Sequence, residues 1–127
     1  METKQTEAGQ VLAANDAFYA AFNQKDADAM EAVWSTREEI TCIHPGWNLL
    51  RGRDEVLESW RGILENPNQA RIVIGGASVT LLGGHALVLC RELVGGSPLA
   101  ATNLFAREEG DWKLLHHHSG PVAQSVI

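Results

Sequence analysis

His44 stands immediately before Pro45-Gly46, and three further histidines, His116, His117 and His118, follow one another near the end of a 127-residue chain. Imidazole changes charge near neutral pH, so such side chains can take up or return a proton, or ligate a metal. The run Asp111-Trp112-Lys113-Leu114-Leu115-His116-His117-His118-Ser119 reads as a β-strand, and side chains alternate across a strand. Trp112, Leu114, His116 and His118 are therefore expected on one face, with Lys113, Leu115, His117 and Ser119 on the other. Lys113 needs water, which predicts that the Trp112 face points inward. On that phase His116 and His118 line a pocket and His117 faces out. His44 shares its face with Ile40 and Cys42 and is predicted to point into the same hollow. Asn103 lies between Ala101 and Phe105 on an inward face, where a buried amide needs a partner. A ligand or a histidine of the last strand would serve equally.

Small-molecule pockets are mostly apolar with a few placed polar groups. Phe18, Phe22, Trp47, Trp60 and Phe105 are the expected walls, with His116 among the ligand-binding groups. The i, i+2 pair His116 and His118, with His44 as a third ligand, is the one arrangement that suits a metal. No Asp or Glu is evident at an inward position beside it, so the expectation is no metal and no cofactor. Arg91 is read as outward-facing, and Tyr19 as lying off the main stripe of its helix. Gly-x-Ser-x-Gly is absent. Ser119 cannot pair with His118, because adjacent strand residues point to opposite faces.

The elements that position these groups follow from periodicity. Val11, Ala14, Phe18, Ala21 and Phe22 recur every three or four residues, predicting a helix over 6–23. Asp26 caps a second helix carrying Met30, Val33 and Trp34, and the two should pack as a hairpin. The period then becomes two over 39–44, stopped by Pro45-Gly46, with a short strand near 47–50. Gly52 opens a third helix over 53–64, with Val56, Leu57, Trp60 and Ile63 inward. A meander follows, with strands over 70–82, 85–94, 99–107 and 111–119. Gly75-Gly76 marks a bulge or bend in its first strand, and Gly83-Gly84 a hairpin turn. Helices followed by strands make an α+β chain with an antiparallel sheet, one face of it covered by helices.

Size bounds the chain to one domain, 1–127, with residues 1 to about 6 frayed. The net charge is −6, and no Lys/Arg cluster could neutralise a run of phosphates. Nucleic acid and membrane are therefore not expected as partners. Residues 1–10 lack the apolar core of a signal peptide. Cys42 and Cys90 fall within strands and read as buried free thiols, which suits a cytoplasmic protein.

Four segments taken in order carry a resemblance over nearly the whole chain. They are Ala17-Phe18-Tyr19-Ala20-Ala21-Phe22-Asn23-Gln24-Lys25-Asp26 with Met30 and Val33-Trp34; Ile43-His44-Pro45-Gly46; Gly52-Arg53-Asp54-Glu55-Val56 through Trp60; and Thr102-Asn103-Leu104-Phe105-Ala106-Arg107 with the final strand. The set resembles the NTF2-like superfamily, and within it the SnoaL-like and ketosteroid-isomerase-like proteins. The resemblance implies a cone, with three helices held in the concave face of a curved antiparallel sheet, a deep pocket, and a homodimer through the outer sheet face. Steroid-isomerase relatives use a first-helix tyrosine, a late-strand acid and an aspartate before a proline. By segment matching these positions fall on Phe18, Asn103 and His44.

The reading for function is a pocket for a small apolar or mixed-polarity organic ligand. Isomerase- or lyase-type chemistry would use His44 as acid/base, Asn103 as polarising donor and His118, or its face neighbour His116, as a second proton carrier. The alternatives are a non-catalytic ligand-binding or dimerisation module and, less favoured, a histidine-based metal site.

Overall fold

The computed structural model describes residues 6–123. The fraying expected of residues 1–6 lies outside the described part except at Thr6, whose Oγ1 accepts from the Gly9 N–H at 3.0 Å and caps the first helix, α1 (Glu7–Asn23). Asp26 caps α2 (Ala27–Val33) in the same way, accepting from Ala29 N–H at 3.0 Å. These side chains satisfy amides that a helix start leaves without partners. The third helix, α3 (Arg53–Glu65), starts at Gly52, whose φ of +90° suits a residue without Cβ. The strands are β1 (Thr41–Ile43), β2 (Leu50–Arg51), β3 (Ile72–Leu82), β4 (His85–Val94), β5 (Ser97–Glu108) and β6 (Asp111–Pro121).

All six strands join one sheet in the order β2-β1-β6-β5-β4-β3. The meander from β3 to β6 is antiparallel as expected. The sheet as a whole is mixed, because β1 runs parallel to β6, with Thr41, Cys42 and Ile43 opposite His116, His117 and His118. The chain between β1 and β6 contains a helix and four strands, so no hairpin constrains their relative direction. The helices lie on one face of this curved, unclosed sheet: α1 against β3, β4 and β6, and α3 against β1 and β2. Between the layers sit Phe18, Met30, Trp34, Ile40, Val56, Val88, Phe105 and Leu114, each at most 1% exposed. Burying each large apolar side chain contributes roughly 1.5–3 kcal/mol, the main favourable term holding helices to sheet.

Two irregularities re-aim strands. The β3–β4 register shifts between Gly75 and Ser78, where Gly76 takes φ +63°, as the paired glycines predicted. The second lies in β6 and no glycine announces it. Leu114 pairs with Phe105 while His116 pairs with Leu104, leaving Leu115 as an extra residue. Such a bulge reverses which face each later side chain occupies. Trp112 and Leu114 are buried as expected, but beyond the bulge it is His117 and Ser119 that are buried, with His118 exposed.

Candidate functional site

A cavity of about 870 Å³ opens between α3 and the concave face of the sheet. Its walls are largely apolar, with Phe22, Trp60, Ile63, Ile72, Val94 and Leu99 among them. Its inner polar side chains come from four places, His44 beyond β1, Ser59 on α3, Glu92 on β4 and His117 with Ser119 on β6, while Glu55, Glu58, Asn66, Gln69 and Ser97 border it nearer solvent.

His44 reaches this wall because the chain turns sharply after it. Trp47 N–H donates to His44 O at 2.9 Å across Pro45-Gly46, and Gly46 has φ +82°. Pro then Gly at the centre of such a turn is the type II signature. The turn lays Trp47 on the imidazole at 4.7 Å between centroids, and Trp60 packs on the same ring at 4.5 Å. His44 Nε2 lies 2.8 Å from Ser59 Oγ. That hydroxyl donates its own proton to Val56 O at 2.6 Å, so Nε2 must carry the hydrogen and Nδ1 is left with a lone pair. Burial lowers the His44 pKa to about 4, so the ring is neutral at physiological pH.

His117 is held from behind. Its Nδ1 lies 2.5 Å from Asn103 Oδ1, and the Asn103 amide donates to Asn15 Oδ1 at 2.8 Å and to the Tyr19 hydroxyl at 3.1 Å. With both amide hydrogens committed, the Asn103 oxygen faces the ring, so Nδ1 is the donor and Nε2 an acceptor. Burial first, then the neighbouring histidines, pushes the His117 pKa down to about 3. The Tyr19 hydroxyl in turn donates a hydrogen bond to Glu92 Oε2 at 2.5 Å, and Ser119 donates to Glu92 Oε1 at 2.6 Å. Burial, with the Glu92 carboxylate beside it, raises the Tyr19 pKa and keeps the phenol protonated. Two lines of donors therefore end on the Glu92 carboxylate, one running from His117 through Asn103 and Tyr19 and one coming from Ser119, while the second Asn103 hydrogen goes to Asn15.

The expected residues divide. His44, Phe22, Trp47 and Trp60 border the cavity. Phe18 and Phe105 are buried core instead, at 1% and 0% exposure. Asn103 is fully buried behind His117, with its amide consumed by the protein, and has no donor left to polarise a ligand. His116 and His118 are corrected outright. The Leu115 bulge turns them to the outer face, where Thr41 Oγ1 lies 2.6 Å from His116 Nδ1 and His118 is exposed. His117, expected outside, occupies the place foreseen for them. The three-histidine metal arrangement does not assemble, because His44 sits on the opposite face from the other two. Among the described residues no group of three His, Cys, Asp or Glu side chains could hold a metal ion. Cys42 and Cys90 are free buried thiols.

Ser59 and Asn15 carried no signal in the sequence, and Tyr19 and Glu92 were not placed in the site. Tyr19, one residue from the apolar stripe, is 3% exposed and bonded to Asn103 and Glu92. Glu92, also 3% exposed, was legible: with Arg91 outward, alternation puts Ala86, Val88, Cys90 and Glu92 inward together.

Residues 11–124 match the SnoaL-like domain family. The chain belongs to that family. An NTF2-like family protein from Streptomyces avermitilis, provisionally assigned as a dehydratase, shares 31% identity and a TM-score of 0.84, covering 91% of this chain and 95% of that one. A Thiobacillus denitrificans protein, provisionally assigned as a calcium/calmodulin-dependent protein kinase type II association domain, shares 31% identity with a TM-score of 0.81 over 88% and 94% of the two chains. The Arabidopsis thaliana F-box protein SKIP8 is 26% identical over 111 residues, 86% of this chain. The chain spans about half of that relative, 48% of its length. The NTF2-like cone, SnoaL-like in sequence, is thus the fold expected from the ordered segments. Among the described residues no helix is long and apolar enough to cross a membrane.

Proposed function

We propose that this chain binds a small organic molecule in the cavity and that His44 exchanges a proton with it in isomerase- or lyase-type chemistry. The observation that carries the reading is the convergence of His44, His117 and Glu92 on one largely apolar cavity of about 870 Å³. A drug-sized ligand fits such a volume. His44, neutral and with Nδ1 unprotonated, enters as base and returns the proton as imidazolium. Trp60, packed against both imidazoles, fixes their placement, and His117 takes the second-carrier role first given to His118. Likeness to a protein provisionally assigned as a dehydratase agrees with proton transfer to and from carbon and oxygen.

The experiment is native mass spectrometry of the purified protein, followed by thermal shift across a metabolite panel and turnover assays on the ligands found. A retained or stabilising small molecule is the expected result. His44→Ala should then lower turnover about 100-fold with binding changed only a few-fold. Unchanged turnover would remove His44 from the chemistry, and a panel without any stabilising ligand would remove the pocket reading.

A second reading, a homodimerisation module acting through the outer sheet face, has its own observation. Val73 and Leu93, cross-strand partners, are 62% and 45% exposed, and Leu89 on the same face is 46% exposed. Large apolar side chains grouped on one exposed face favour association. A neighbour provisionally assigned as an association domain agrees with this. The two readings use opposite faces of the sheet and are compatible.

A further inference from the structure

We propose that the cavity selects an organic cation, a primary or secondary ammonium carried on an apolar or aromatic frame, with Glu92 as its counter-ion. The proposal rests on the pocket reading above and names the ligand class that the same site takes.

The charge of the walls comes first. The ionisable lining residues other than histidine are Glu55, Glu58 and Glu92; no Lys or Arg borders the cavity among the described residues. Glu55 and Glu58 are solvated on α3, whereas Glu92 is 3% exposed. A buried carboxylate is normally paired with a cation, because removing it from water is otherwise costly. The ion pairs among the described residues involve Glu7, Glu31 and Glu108, and none involves Glu92. Two hydroxyls supply its hydrogen bonds, one to each oxygen. A carboxylate has about four lone-pair sites, so roughly half its accepting capacity is unspent.

Hydrogen-bond polarity gives the second, independent observation. His117 is 3% exposed and borders the cavity, its Nδ1–H is committed to Asn103, and its Nε2 has no partner among the described residues. His44 likewise spends its N–H on Ser59. The Ser119 and Ser59 hydroxyl protons are spent as well, and the Trp60 indole N–H, though without a partner among the described residues, is enclosed and presents no surface to the cavity. The inner polar groups therefore present acceptors. An ammonium brings two or three donors and a positive charge, which suits a carboxylate and a bare imidazole nitrogen together. A carboxylate or phosphate ligand brings neither and would meet Glu92 as a like charge. Trp60 on the wall and Trp47 at its edge add aromatic faces, which attract cations within about 6 Å.

Three ligands built on one indole frame separate charge from shape: tryptamine (cation), tryptophol (neutral) and indole-3-acetate (anion). Binding to the wild-type protein at pH 7 is read by NMR titration and thermal shift. Tryptamine is expected to bind at least about tenfold more tightly than tryptophol, with indole-3-acetate weakest. Glu92→Gln should bring tryptamine to the level of tryptophol while leaving tryptophol within a few-fold. Equal affinity for tryptamine and tryptophol, or preference for indole-3-acetate, overturns the cation inference and leaves the pocket reading standing. Absence of binding by all three overturns the cation inference too, and the pocket reading falls only if the wider panel is also silent. The wild-type comparison decides the matter even if Glu92→Gln does not fold.

Discussion

Asn103 shows how a single amide can organise a site without touching a ligand. Its oxygen fixes the His117 tautomer, and its nitrogen ties α1 to the sheet through Asn15 and Tyr19. Asn103→Leu would leave Asn15, Tyr19 and His117 each short of a partner in a buried setting. Urea unfolding should show a loss of about 2–4 kcal/mol, larger than the mean for a point substitution. The two buried imidazoles make a separate prediction. Their folded pKa values, about 4 for His44 and about 3 for His117, lie below the ordinary value near 6.5. Between those limits the unfolded chain binds more protons than the native one, so stability is complete above about pH 6.5 and falls as pH drops. Each ring should withdraw roughly 1–2 kcal/mol between pH 7 and pH 5. Denaturation midpoints across that range check this, and His44→Gln should reduce the slope by about half.

The bulge in β6 is the structural decision on which the site depends. With Leu115 extra, the strand buries Trp112 and Leu114 and then His117 and Ser119. Inserting one alanine between Leu115 and His116 would shift every later residue by one position, driving His116 and His118 toward the space that His117 fills and turning His117 and Ser119 to the outer face. The network to Asn103 and Glu92 would be lost. The expected outcome is a protein without a cooperative thermal transition, or one whose midpoint falls by more than about 10 °C. An insertion that leaves stability unchanged would contradict the face assignment. The turn at Pro45-Gly46 is a milder case. No atom lies within 4 Å of a Cβ placed on Gly46, so Gly46→Ala strains only the backbone at φ +82°. The expected loss is about 1 kcal/mol by chemical denaturation, with the seating of Trp47 on His44 disturbed.

The curved sheet separates the two proposed roles across its thickness. The concave side, under the helices, holds the cavity, and the outer side carries Val73, Leu89 and Leu93 with His116 and His118. The proposed homodimer and the proposed ligand site should therefore respond to mutation independently. Leu89→Lys combined with Leu93→Lys is expected to convert a dimer to a monomer in sedimentation velocity at micromolar concentration, while tryptamine affinity stays within about threefold. A wild-type protein that sediments as a monomer at every concentration would remove the outer-face proposal and leave the cavity proposals intact.

Element order, helix caps, the Gly75-Gly76 irregularity and the inward face of the strand leading to His44 were all legible from local rules, because caps, turns and periodicity are properties of neighbouring residues. Thr6, Asp26 and the apolar spacing of α1 needed no knowledge of the rest of the chain. Glu92 could have been read from the same alternation that puts Arg91 outside. The identity of the inward histidine could not. A bulge without glycine is set by how β6 must bend to pair with β5 on one side and β1 on the other, and that pairing joins residues about 75 positions apart. The consumption of the Asn103 amide behind the cavity wall, and the convergence of the Tyr19 and Ser119 hydroxyl hydrogen bonds on one carboxylate, arise in the same way. They exist only once α1, β4, β5 and β6 are brought together, since a hydrogen bond is fixed by distance and direction in space.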